Sequence, residues 1–284
     1  MVSEFKVAVV LTAVLNIYDI QPKLSAMEFI ATPIDLSPWI QSIWTWQAAP
    51  TQSAEVLIAP DARCELVIHL GVPPLEWRDG VWQRQPRVFL YGQLRAPLSL
   101  HSDYAMNLLA VRFHPHTAAC FFGIDGSDLQ AMPIGFHDLS KLTKSLNWLG
   151  DSESMPITIA SVVKALRLLA KTAKLPDAFT LLALKAISAK HGEIRIKLLA
   201  KQLAKSPRQF ERVFFQQVGL APKFYARIKR IQFAQALLAG PDVHLAEIAN
   251  SAGFADQSHF NREAIALCGQ TPLQLRANLS AISA

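Results

Sequence analysis

Two groups of polar residues recur 50 positions apart, each on a stretch that reads as a short helix. Arg208, Gln209, Glu211 and Arg212 form the first group, and Gln257, Ser258, His259 and Arg262 the second. Their surroundings repeat as well: Phe210 falls on Phe260, Arg212 on Arg262, Gly219 on Gly269 and Pro222 on Pro272. Such an internal repeat means one supersecondary unit built twice. Side chains of these types donate and accept hydrogen bonds, so the chemistry they offer is recognition of a partner.

The elements that position them follow from spacing. In the first copy Ile196, Leu199, Ala200 and Leu203 make one apolar helix face. The next helix opens at Ser206-Pro207-Arg208-Gln209, an N-cap serine, a proline at the first helical position and a glutamine that completes a capping box. Phe210, Val213 and Phe214 form its buried side, and Gly219 closes it. In the second copy Leu245, Ile248 and Ala249 pack the first helix, Gly253 supplies the turn, Asp256 caps the second helix and Phe260 is buried.

Between the copies residues 222–238 read as a helix about 25 Å long at about 1.5 Å per residue. A rigid spacer of that length can hold the two second helices roughly 34 Å apart, one turn of DNA. Charge supports this partner. From Lys190 onward there are 13 Lys+Arg and 6 Asp+Glu, a balance of +7, whereas the preceding residues carry 15 and 16. The net charge of +6 thus resides in the last third, as a nucleic-acid-binding module requires. Lys197, Lys201, Ser206, Arg227, Lys229 and Arg230 are the expected phosphate contacts.

These landmarks, with Gly253-Phe254, Asp256-Gln257-Ser258-His259-Phe260 and Gly269-Gln270-Thr271-Pro272, resemble the paired helix-turn-helix domain of AraC-type transcriptional regulators. The resemblance covers roughly residues 177–278. It implies double-stranded DNA as partner, and base-edge contacts from Arg208, Gln209, Glu211 and Arg212 in one copy and Gln257, Ser258, His259 and Arg262 in the other. Activator or repressor, the family acts on transcription, with RNA polymerase as a further partner. One departure stands out. Ala264 occupies the position of Phe214 and is followed by apolar Ile265-Ala266-Leu267, so the second recognition helix is expected to be less firmly packed and to make weaker phosphate contacts.

A chain of 284 residues has room for two domains. Cys64, Cys120 and Cys268 are scattered, which argues against a disulfide framework or zinc site and for a reducing cytoplasm. Residues 1–26 read as an extension. Its apolar run over residues 7–15 is too short to span a bilayer, and Glu4 and Lys6 make a poor signal-peptide start, so no membrane partner is expected.

From Glu28 to about His116 short apolar runs alternate with turn signals such as Pro60-Asp61, Pro73-Pro74, Asp79-Gly80 and Gly92, the pattern of a small barrel or sandwich. Pro60-Asp61-Ala62-Arg63-Cys64-Glu65-Leu66, Tyr91-Gly92-Gln93-Leu94 and Val111-Arg112-Phe113-His114-Pro115 resemble the cupin-like N-terminal domain of an AraC-type subgroup. The resemblance implies a sensor for a small-molecule effector. Trp39, Trp44, Trp46, Trp77 and Trp82 could line an apolar pocket, with core packing the commoner role, and Arg63, Arg95 and Arg112 could meet an anion.

The alternative is a cupin-type metal-binding enzyme fused to a DNA-binding domain. His114-Pro115-His116 places two imidazoles on one side of an extended segment, but Cys120-Phe121-Phe122 stands where those cupins place a glutamate. His69 and His101 would have to join by coincidence of folding. No Ser/His/Asp motif, P-loop or dinucleotide fingerprint is present. No catalytic residue, metal or cofactor is expected, and the chain reads as a non-enzyme.

After Asp128 the pattern turns helical. Val162, Ala165, Leu166 and Leu169 form a stripe that suits either pairing with its twin in a homodimer or packing on its own barrel. The expected fold class is α+β: a cupin-like β-barrel domain over residues 27–150, a helical linker over 151–176, and over 177–284 an all-α domain of two helix-turn-helix units joined by a long helix.

Overall fold

The computed structural model describes residues 17–18, 27–48, 54–129, 133–135, 154–175, 177–240 and 243–283. Its N-terminal half is two antiparallel sheets. One runs β1 (Ile17–Tyr18), β4 (Ala54–Ile58), β9 (Leu98–Ser102), β6 (Leu75–Arg78), β7 (Val81–Arg84). The other runs β11 (Pro133–Gly135), β8 (Val88–Tyr91), β5 (Glu65–His69), β10 (Met106–Phe113), β3 (Ile40–Ala48), β2 (Met27–Ile30).

The second sheet is buried on both faces, which explains why Leu108, Leu109, Ala110 and Val111 read as a continuous apolar run. Ile43, Leu66, Ile68, Leu109, Val111 and Phe113 face a layer of helices. Trp44, Trp46, Phe89, Tyr91, Leu108 and Ala110 face the other sheet. The period of 2 therefore sorts two cores.

Two expectations need correction. The described strands form open sheets, where a closed barrel was expected. The chain between β4 and β5 leaves the sheets instead, and buries Ala59 and Ala62 in the cores of the helical half. The stretch after Asp128 contributes β11, paired with β8, where helix was expected. Of the N-terminal extension only Ile17–Tyr18 is described, paired with Leu57 and Ile58; its apolar run over residues 7–15 lies outside the described residues.

Helix α1 (Ala118–Phe122) and helix α2 (Met155–Ala170) cover the outer face of the second sheet. The stripe Val162, Ala165, Leu166 and Leu169 is buried there, so of the two readings of this helix the structure shows packing on its own domain. Arg167 ties it to Asp35 at 2.7 Å. Among the described residues no helix is long and apolar enough to cross a membrane.

The C-terminal half is helical: α3 (Ala178–Ala189), α4 (Ile196–Gln202), α5 (Pro207–Val218), α6 (Pro222–Leu238), α7 (Leu245–Ser251), α8 (Gln257–Cys268) and α9 (Pro272–Ser283). Asp177 caps α3 through its side chain, accepting from the Phe179 N–H. Two cores form, one under each unit, and α6 contributes to both: Tyr225, Ala226 and Ile228 to the first, Ile231, Ala234 and Leu238 to the second. A shared helix makes the spacing of the two units a property of one rigid element.

Candidate nucleic-acid interface

Helix α5 carries the first candidate group. The Ser206 side chain accepts from the Gln209 N–H while Gln209 Oε1 accepts from the Ser206 N–H, a complete capping box that stabilises the helix start by about 1 kcal/mol. Phe210 and Phe214 are fully buried, stacked at 6.0 Å, and Val213 is half-buried. Arg208, Glu211 and Arg212 are thereby turned to solvent. Gln209 is exposed but its side-chain oxygen is spent on the cap. Arg212 Nη1 reaches Gln216 Oε1 at 3.4 Å.

Helix α8 repeats this arrangement. Asp256 accepts from the His259 N–H at 2.6 Å, Phe260 is fully buried, and Gln257, Ser258 and Arg262 are exposed. His259 is half-buried: its Nδ1 accepts from the Ala255 N–H, and its ring meets Phe254 edge-on at 5.4 Å. Ala264 is fully buried in the second core, and Phe254 stacks on Phe260 at 4.9 Å. The aromatic contact that Phe214 makes in the first unit is supplied here from the turn, so the expected looseness of this helix is not seen. Ile265 and Ala266 are exposed and Leu267 is buried.

The cationic candidates divide. Lys197 and Lys201 on α4, and Ser206, are exposed. The three on α6 are half-buried and engaged within the protein. Arg227 forms a two-pronged ion pair with Glu263 of α8 at 2.8 and 3.0 Å. Arg230 donates to the Gly192 carbonyl and lies over the Phe254 ring. Lys229 donates to Gln232 and lies over Tyr225, close to Asp61 and Arg63 of the N-terminal half. Burial, above all, pushes its ammonium down to about pKa 7.

Comparison with known proteins bears on these helices. Residues 199–278 match the model of a helix-turn-helix domain. The chain carries an AraC-type helix-turn-helix domain. Residues 28–134 match a domain of unknown function (DUF6597). Over 83 residues the chain is 36% identical to a probable bifunctional transcriptional activator/DNA repair enzyme AlkA of Mycobacterium tuberculosis, 29% of this chain and 17% of that one. Over 96 residues it is 30% identical to the Msm operon regulatory protein of Streptococcus mutans, 34% of each. The chain thus spans about a sixth and a third of the curated relatives it matches. Among solved structures, an AraC-type transcriptional regulator from Chromobacterium violaceum is 26% identical, covering 36% of this chain and 92% of that one, with a TM-score of 0.34.

The AraC-type domain is docked on the sheets. Ala59 enters the core of its second unit and Ala62, at φ 62°, that of its first. Arg95 lies over Phe224, and Gln232 Nε2 reaches the Asp61 carbonyl at 3.5 Å. The backbone at Gly126 approaches that of Phe215 and Gln216 so closely that a side chain would not fit. Of these residues Asp61 and Ala62 were legible in sequence only within a resemblance and Arg95 only as an anion candidate; nothing in the spacing of any of them marks a contact.

Behind this docking surface lies a cavity between the two sheets. Trp44, Trp46, Arg63 and Arg112 line it, while Trp39 packs on Phe121, and Trp77 and Trp82 pack on each other at the sheet edge. Arg112 is buried, paired with Asp61 at 3.1 Å and Glu65 at 2.7 Å. His69, Gln85, Glu76 and Arg78 form a hydrogen-bonded chain at the β5, β6 and β8 side. Gln85 escaped the sequence reading, which named Glu65 only within a resemblance and His69 only as a metal-ligand candidate, because only folding brings the three together. His114 Nε2 meets the Ser37 carbonyl at 3.1 Å and His116 is buried; among the described residues no three His, Cys, Asp or Glu groups stand together as a metal site.

Proposed function

We propose that the protein is a sequence-specific DNA-binding transcriptional regulator, with residues 177–284 reading double-stranded DNA and residues 27–150 sensing a small-molecule effector. The observation that carries this reading is the pair of capped helices, α5 and α8, each presenting an exposed polar face from a domain of the AraC type. The balance of +7 from Lys190 onward supports it, since cationic side chains release counterions from the duplex.

Arg208, Glu211 and Arg212 on α5, and Gln257, Ser258 and Arg262 on α8, are the base-edge readers in this reading. Lys197, Lys201 and Ser206 meet phosphates. Gln209 and His259, held by their helix starts, serve chiefly to fix those starts. Arg227 and Arg230 tie α6 to α8 and to the turn at Gly192, Lys229 lies at the junction with the N-terminal half, and each reaches phosphate only by giving up those partners.

Selection from a random duplex pool at near-physiological salt tests the reading. Two half-sites about 34 Å apart are expected. Arg212→Ala then costs about 1–3 kcal/mol and relaxes one half-site only. Salt-sensitive sticking with no enriched sequence would overturn it.

A further inference from the structure

The cavity between the sheets has walls specific enough to define what fits it, given the reading that these sheets hold an effector. Its apolar side is built of rings and aliphatic chains: Trp44, Trp46, Phe89, Tyr91, Leu100 and Leu108.

The ionised groups in the lining already have hydrogen-bond partners within the protein. Arg112 is held by Asp61 and Glu65, and Glu65 also accepts from Trp44 Nε1 at 3.2 Å. Arg63 donates through Nε to Gln41 and through Nη1 to the Ala62 carbonyl. Two arginines thus face two carboxylates, and the lining as a whole is neutral. A carboxylate ligand at Arg112 would have to displace Asp61 or Glu65, leaving a buried charge unpaired. His69 adds no cation at neutral pH, because burial pushes its pKa down to about 4.

One lining group is unmatched. Trp46 is 2% exposed, and its Nε1 has no hydrogen-bond partner among the described residues. A buried donor left unpaired is rare and costly, and a ligand acceptor is one of the few ways to satisfy it. Trp44, on the same strand face, has its N–H satisfied by Glu65, so the orphan is particular to Trp46.

We infer that the cavity takes an uncharged, mostly apolar, ring-containing molecule bearing a hydrogen-bond acceptor for the indole N–H of Trp46. A ketone, ester or ether on an aromatic frame has this chemistry. The apolar body supplies the affinity, and the acceptor fixes its orientation.

Three probes of similar size test this on the full chain by calorimetry: 2-acetonaphthone, which is neutral with an acceptor, naphthalene, which lacks one, and 2-naphthoate, which is anionic. The ketone is expected to bind roughly two- to twelvefold more tightly than the hydrocarbon, the range a single net hydrogen bond gives. It should exceed the carboxylate by tenfold or more. In Trp46→Phe the gap between ketone and hydrocarbon should close while naphthalene binding persists. Tightest binding by 2-naphthoate would overturn the inference, as would equal binding of ketone and hydrocarbon by the unmodified protein, which decides the matter even if the variant fails to fold. Failure of all three to bind a protein that still selects a DNA sequence would overturn it too, and leave the DNA reading standing.

Discussion

Gly126→Ala should pry the sheets from the first recognition helix. A β-carbon at Gly126 would lie 2.0 Å from the Phe215 carbonyl oxygen and 2.7 Å from the Gln216 carbonyl carbon, both backbone atoms that no rotamer change can move. Ordinary contact begins at 3.4 Å, so the two backbones must separate by about 1.4 Å, the difference between 3.4 and 2.0. Overpacking on this scale costs about 1–3 kcal/mol. The cost falls on the docked state alone, because the clash is between the two halves. Hydrogen exchange reads it locally. The Gln93 N–H donates to the Leu129 carbonyl at 2.6 Å, and Gly219 sits against the Gly126 carbonyl and the Gln93 side chain. Amides in peptides covering Gln93 and Gly219 should exchange roughly 5- to 150-fold faster, the factor that 1–3 kcal/mol gives. Gly71→Ala is the control, since its β-carbon would find its nearest neighbour, the Ala105 carbonyl oxygen, at 3.5 Å. Unchanged exchange in both peptides of Gly126→Ala would refute the docked arrangement.

Lys229 gives a pH dependence whose sign follows from its environment. Burial first and Arg63 second push its pKa from 10.5 to about 7, against Asp61, with Arg112 adding to the depression. A base whose pKa falls on folding penalises the fold in its charged form. Stability should therefore fall as pH drops from 10.5 toward 7, by up to about 1.4 kcal/mol per unit, and level off below. Lys229→Met should be the more stable protein at pH 7, with an advantage that shrinks by pH 9; a constant gap in urea midpoints would contradict the burial. Ala264→Phe, which restores the aromatic of the first unit at a site 0% exposed, should lose about 1–3 kcal/mol by overpacking against Phe260. A urea midpoint at or above that of the unmodified chain would show that the second core has room.

Much of the helical half is local in origin, and it was legible for that reason. The Ser206–Gln209 box, the Asp177 and Asp256 caps, and the left-handed Gly219 and Gly253 all satisfy backbone groups within a few residues. Apolar residues three and four apart then sort Phe210, Phe214 and Phe260 inward, and so turn Arg208, Arg212 and Arg262 outward. Spacing alone contains that information. The strands were legible too, because alternation is also local, but their closure was not: whether β4 pairs with β3 or β9 depends on residues far away in the chain.

The sequence by itself determined two capped helical units, a basic last third and a run of short strands. Tertiary structure decided what those parts touch. It sent Ala59 and Ala62 into the helical cores, spent the Val162–Leu169 stripe on its own domain, and turned Arg227, Lys229 and Arg230 toward partners within the chain. It also drew Asp61, Glu65 and Arg112 together beside Trp44 and Trp46. Those contacts join residues tens of positions apart, and no periodicity encodes them. They are selected by which surfaces bury the most apolar area with every charge still paired.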